Sequence, residues 1–203
     1  MQAPFAKTMK KEFPEVAVAG RIMPYPTFGG AGSNQVRRTD ATENTYEEGF
    51  SFADQEILDI FGIPMVYGDR SKGLAQPYTM VISKRMADKY FPNENPVGKT
   101  MILNNSQNRI YTVGGVMKTF PRNMHLQYDF FLTLSGVEFW PGEQNFWRAN
   151  NYQTYALLKP GTDAKKLSDK LTTLDKKYTI PSFVSAGVKV NLAEIERMKY
   201  QLQ

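Results

Sequence analysis

Between Phe52 and Phe131 proline and glycine recur so often that no stretch without one exceeds 15 residues, and this punctuation limits the fold more than any other feature. Phe61-Gly62-Ile63-Pro64, Gly68-Asp69, Lys89-Tyr90-Phe91-Pro92 and Asn95-Pro96-Val97-Gly98-Lys99-Thr100 each interrupt a short apolar run. Proline lacks the amide hydrogen a helix interior or a central strand needs, and glycine supplies the left-handed backbone of turns. Long helices are therefore excluded here, and short strands joined by tight turns are favoured.

The rest of the chain reads as short elements of both kinds. Phe5, Ala6, Met9 and Phe13 share a helical face that begins at Pro4 and ends at Pro14. Val16–Ile22 follows as a strand, and the Pro/Gly-rich stretch Pro24–Ser33 as a flexible connection. Gln35–Arg38 and Tyr46–Phe52 are strands around a polar turn, and Asp54 is placed to cap a short helix through Phe61. Ile63–Tyr67 is a strand, and the polar run Arg70–Pro77 reads as a linker between lobes. Beyond it come a strand Tyr78–Ile82, a helix Lys84–Phe91 capped by Ser83, a hairpin of Lys99–Leu103 with Arg109–Met117, and a strand Gln127–Leu134. The last third returns to a β-α-β pattern. Tyr152–Leu158 precedes a helix capped by Thr162 or Asp163, with an apolar stripe of Ala164, Leu167, Leu171, Leu174 and Tyr178, and Val188, Val190 and Leu192 alternate as a strand.

Composition narrows the function classes. No run approaches the roughly 18 apolar residues of a membrane-spanning helix, and the amino terminus lacks the apolar core of a signal peptide. The absence of cysteine removes disulfides, thiolate zinc sites and thiol nucleophiles together. A net charge of +5 arises from 25 basic and 20 acidic residues that are largely interspersed, the pattern of a solvated surface.

No catalytic constellation emerges. Pro96-Val97-Gly98-Lys99-Thr100 ends like a P-loop, but the required earlier glycine is Asn93, and the segment opens a strand where a P-loop opens a helix. It reads as a turn. His125, the single histidine, lacks zinc partners and a nucleophile elbow, so its expected role is to hydrogen-bond its loop. Glu47 and Glu48 point to opposite faces if their strand is real, and Asp54 is spent as a cap, so paired carboxylates do not converge. Acidic residues Asp163, Asp169 and Asp175 interrupt the lysines of the late helix, and Arg37-Arg38 and Lys84-Arg85 fall short of a phosphate-binding cluster, so no nucleic acid is expected as a partner. The catalytic, cofactor and metal sets are all empty. What remains is Phe139, Trp140, Phe146 and Trp147 in the loop Ser135–Asn150, aromatic side chains that either cover the core or contact a partner or substrate.

The ordered series from Ala53-Asp54-Gln55-Glu56-Ile57 through Val81-Ile82-Ser83, Tyr111-Thr112-Val113-Gly114-Gly115-Val116 and Asn123-Met124-His125-Leu126, with Phe13-Pro14-Glu15-Val16 before it and Leu157-Leu158-Lys159-Pro160-Gly161-Thr162-Asp163 after it, resembles the MacB-like periplasmic core domain of MacB/FtsX-type ABC transporter permeases. The resemblance implies an α+β fold in two lobes: a porter-like β-α-β lobe near the membrane, built from both chain ends (1–75 and 151–203), and an inserted strand-rich lobe (76–150). It implies a periplasmic domain of a bacterial inner-membrane permease, flanked in the native chain by transmembrane helices. ATP would bind a separate ATPase domain or subunit, so the domain itself needs no cofactor. Expected partners are a second permease copy in a dimer, the ABC ATPase acting through the membrane helices, and a periplasmic adaptor or exported substrate. The role implied is non-enzymatic coupling of ATP-driven motion to substrate extrusion or to a periplasmic partner. The alternative, from another class, is a secreted carbohydrate- or peptide-binding module using the aromatic loop 139–147.

Overall fold

The computed structural model describes residues 1–26, 29–121 and 123–190. These form an α+β structure that divides into two compact units, one of Met1–Ala19 with 142–203 and one of Gly20–Pro141.

The larger unit is a closed ring of short strands. Its elements are the second half of β1 (Val16–Met23), β2 (Gly32–Arg38), β3 (Thr45–Ala53), α2 (Glu56–Ile60), β4 (Met65–Tyr67), β5 (Thr79–Ser83), α3 (Lys84–Tyr90), β6 (Thr100–Leu103), β7 (Ile110–Met117) and β8 (Phe130–Thr133). The strands run in the order β2-β6-β7-β5-β8-β3, and β3 pairs back onto β2. That last pairing removes the free edges that an open sheet of these strands would expose. β5 with β7 and β3 with β8 are parallel, and the other pairs of the ring are antiparallel. Burial alternates along the first residues of β7, as expected of a strand with one face inward. Phe50 and Phe130 stack at 4.0 Å and 4° where β3 meets β8.

Several expected elements are present with shifted ends. The hairpin of β6 and β7, the Ser83 cap, whose hydroxyl accepts from the Met86 amide at 3.3 Å, and the antiparallel pair β2–β3 all form. Asp54 does not cap α2, whose first turn follows Gln55 without a side-chain cap; its carboxylate is taken by Arg21 instead. The run Arg70–Pro77 is not a linker, because Leu74 is fully buried, its amide donating to Gln55 Oε1 at 2.7 Å and its carbonyl accepting from Thr133 Oγ1 at 2.6 Å. The boundaries differ for the same reason. Sequence places 20–75 with the chain ends, but β2 pairs with β6 and β3 with β8, so residues 20–75 belong with 76–141.

The smaller unit joins α1 (Phe5–Glu12), the first half of β1, β9 (Gln153–Leu158), α4 (Ala164–Leu174), a π-helical turn Asp175–Thr179 and α5 (Ile180–Ser185). α1 stops where expected, since Pro14 forces Phe13 into extended backbone. Asp163 caps α4, its carboxylate accepting from the Lys166 amide at 3.1 Å, and this bond holds the carboxyl below the usual aspartate range. Leu167, Leu171 and Leu174 turn inward onto Phe5, Met9, Phe13 and Val16. Ala164, expected on the same stripe, is exposed. No strand forms at Val188 and Val190, and Leu192 lies outside the described residues.

Candidate functional site

The four loop aromatics divide between the two units, Phe139 and Trp140 in the larger and Phe146 and Trp147 in the smaller. Trp147 is a core residue of the smaller unit, stacked on Tyr178 at 4.8 Å and 9° and edge-on to Phe5 at 6.5 Å, which leaves 9% of it exposed. Its ring is therefore consumed by packing, where an offset or edge-on aromatic neighbour adds to plain burial. Phe146 lies under the Arg148 guanidinium at 4.6 Å, and Arg148 also donates to the Ser182 carbonyl at 2.8 Å. Phe139 and Trp140 belong to the larger unit, half-buried, with Phe139 edge-on to Phe52 at 5.1 Å.

Phe139 also lines a cleft of about 240 Å³ in the larger unit. Its walls include Tyr78, Tyr111, Arg109, Glu138, Gly29 and Gly136. Tyr78 is 61% exposed and holds a left-handed backbone (φ 55°), which costs a non-glycine residue roughly 1–2 kcal/mol. Its carbonyl accepts from the Thr112 amide at 2.8 Å, which fixes the distorted residue to β7. Tyr111 is almost fully buried with its ring 6.3 Å from that of Tyr78, and burial pushes its phenol up while the Arg109 charge pulls it back. Arg109 lies across Gly29, where an added Cβ would sit 3.0 Å from a guanidinium nitrogen. Such a site can hold an apolar body between aromatic faces beside one cation.

Sequence reasoning named Phe139 but missed Tyr78, Arg109 and Tyr111. Arg109 and Tyr111 stand two apart at the start of a strand, which is a legible hint of a shared face. Tyr78 joins them only through the parallel pairing of β5 with β7, in which Thr79 lies beside Thr112, and no local pattern announces that.

The other flagged residues have structural partners. Gly98 takes φ 88° in a turn, donates to the Val113 carbonyl at 2.8 Å and leads into β6, so its amide is not available to cradle a phosphate. Lys99 pairs with Glu94. Glu47 is buried and accepts from Lys89 and from the Tyr90 hydroxyl at 2.6 Å, while Glu48 is exposed on the other face. Burial first, and then the Glu47 hydrogen bond, push the Tyr90 phenol well above its usual range. Arg38 pairs with Asp40 and Glu94, and Arg85 with Asp129. His125 lies 5.5 Å from the Phe61 ring. Among the described residues no group of three or more His, Cys, Asp or Glu could hold a metal, and no helix is long and apolar enough to cross a membrane.

Comparison with known proteins places this architecture. A domain from Porphyromonas gingivalis, of a protein assigned as a permease, matches with a TM-score of 0.72 and 26% identity over 87% of this chain and 77% of that one. The periplasmic region of MacB from Actinobacillus actinomycetemcomitans has the same fold, with a TM-score of 0.57 and 14% identity over 91% of this chain and 83% of that one. The extracellular domain of the noncanonic ABC-type transporter YknZ from Gram-positive bacteria also shares it, with a TM-score of 0.58 and 16% identity over 93% and 86%. No curated protein matches the chain. The model of the MacB-like periplasmic core domain matches residues 1–174, and the chain belongs to that family, the periplasmic core domain of MacB-like ABC transporter permeases.

Proposed function

We propose that this domain couples ATP-driven motion of an inner-membrane ABC permease to substrate extrusion or to a periplasmic partner, without catalysing a reaction itself. The family match over residues 1–174 carries this reading. It is supported by chain topology: Met1–Ala19 and the segment from Gly142 onward belong to one unit, which suits a domain held by membrane helices on both sides. That unit is read as the porter-like, membrane-near lobe, and the ring of strands as the lobe inserted into it. ATP is read as binding a separate ATPase domain or subunit. A second permease copy completes a dimer, and a periplasmic adaptor or the exported substrate meets the periplasmic lobes.

The test is reconstitution of the whole permease with its ATPase in proteoliposomes, comparing the intact protein with one in which 20–141 is replaced by a short Gly/Ser linker. Transport should be lost while the ATPase still assembles and hydrolyses ATP. Full transport by the shortened permease would sink the reading.

A further inference from the structure

The cleft of the larger unit has the chemistry of a ligand site, and two features single it out. The Arg109 side chain makes neither an ion pair nor a hydrogen bond with any described residue, whereas Arg21, Arg38, Arg70 and Arg85 sit in ion pairs and Arg37 and Arg148 donate to backbone carbonyls. A half-buried guanidinium that lacks a carboxylate keeps its planar, two-pronged donor set for something else. The second feature is Tyr78, an exposed aromatic kept in left-handed backbone at the lip, where glycine would relieve the strain. Gly29 (φ 66°) and Gly136 (φ 71°) form other parts of the wall, and a Cβ on Gly136 would come within 3.0 Å of Pro77.

We propose that this cleft binds an aromatic carboxylate, its acid group on Arg109 and its ring between Tyr78, Tyr111 and Phe139. Charge selects the acid, because a carboxylate and a guanidinium make two parallel hydrogen bonds that a neutral amide cannot match. Shape selects the ring, because a cleft of about 240 Å³ bounded by four aromatic side chains, Phe52 with the three named, accommodates one flat group. Glu138 also lines the cleft and is exposed, so it acts as a counterweight that weakens an anionic ligand and would favour a cationic one. The same chemistry occurs in a free aromatic acid and in the carboxyl-terminal phenylalanine of a peptide. The assignment rests on the cleft alone and does not depend on the transport reading.

Amide-resolved NMR titration of the 203-residue chain tests it, with 3-phenylpropionate, its neutral amide, and the peptide Ala-Ala-Phe as free acid. Phenylpropionate should shift the amides of Tyr78, Arg109 and Gly136 saturably, with about millimolar affinity and roughly tenfold preference over 3-phenylpropionamide. The peptide binding more tightly than phenylpropionate identifies a chain terminus as the source, and weaker binding identifies a free acid. Arg109→Gln should erase the preference for acid over amide, and Glu138→Gln should tighten the acid two- to threefold. Tyr78→Gly, which relieves backbone strain and so cannot fail by misfolding at that residue, should weaken both acid and amide. Equal binding of acid and amide, shifts mapping away from the cleft, no saturation by about 20 mM, or weaker acid binding in Glu138→Gln would each overturn the proposal.

Discussion

Arg21 and Asp54 close the β1–β3 pair with a double clamp: Arg21 Nε reaches Asp54 Oδ2 at 2.8 Å and its terminal nitrogen reaches Oδ1 at 3.0 Å. The backbones join in, the Arg21 amide donating to Oδ2 at 2.9 Å and the Asp54 amide to the Arg21 carbonyl at 2.9 Å. Arg21 is only 2% exposed, so the carboxylate replaces water for a buried cation. Asp54→Ala should cost about 3–5 kcal/mol, because it leaves that cation uncompensated. Paired replacement by Met at Arg21 and Leu at Asp54 should recover much of the loss, as read by urea denaturation.

Trp147 and Phe139 separate packing from contact. Trp147→Ala removes a ring from the core of the smaller unit and should cost roughly 3–5 kcal/mol. Phe139→Ala removes a half-buried ring at the cleft and should cost about 1 kcal/mol. Denaturation followed by circular dichroism ranks them, and equal losses would contradict the burial.

Glu12 links stability of the smaller unit to acid. Hydrogen bonds from Lys177 and Tyr178 hold its carboxyl below a glutamate's ordinary value of 4.5, with the nearby Lys11 charge acting in the same direction. A carboxyl depressed on folding contributes stability that is present above that ordinary value and fades as pH falls through the folded one. Glu12→Gln should therefore flatten the pH dependence of stability below about pH 4.5, and added salt should shrink the wild-type effect, since the group is solvent-facing. Carbon-detected NMR titration of Glu12 reads the depression directly.

Gly114 and Gly98 are both glycines for different reasons. A Cβ on Gly114 would fall 2.1 Å from the Gly73 carbonyl oxygen, a clash between two backbones. At Gly98 nothing lies within 4 Å, and only the φ of 88° asks for glycine. Gly98→Ala should cost about 1 kcal/mol through backbone strain, and Gly114→Ala considerably more, with melting temperature as the measure.

Residues 20–141 should fold alone, because the ring of strands, the Arg21–Asp54 clamp and the Phe50–Phe130 stack all lie inside that range. Dispersed amide NMR signals and a cooperative melt from the fragment would confirm it. A molten fragment would show that the ring depends on the remaining chain.

Local chemistry made much of this fold readable. Pro14 and Pro92 stop helices, Ser83 and Asp163 cap them, and the Leu167–Leu174 spacing marks a buried face, because each effect acts within a few residues. The misplaced cap, the misread linker and the lobe boundary all involve partners far away in sequence. Asp54 looked like a cap because the competing Arg21 lies 33 residues earlier, and Arg70–Pro77 looked like a linker because Thr133, which holds Leu74, lies 59 residues later. The lobe boundary moved for the same cause, since parallel pairing of β3 with β8 has no local signature. At the cleft, Phe139 stood out as an aromatic among Pro and Gly, whereas Tyr78, Arg109 and Tyr111 become a group only through the β5–β7 pairing.

Assembly of the smaller unit from distant segments also sets a timetable. Phe5, Met9 and Phe13 pack on Leu167, Leu171 and Leu174, which the ribosome makes last among these residues. At about 5–20 residues per second, the apolar side of the first helix waits roughly 10–30 s for its cover. The ring of strands, complete once Thr133 has been made, can form during that interval. Until then the first helix is a short amphipathic segment open to a chaperone or a lipid surface, and the finished unit records that its two halves met late.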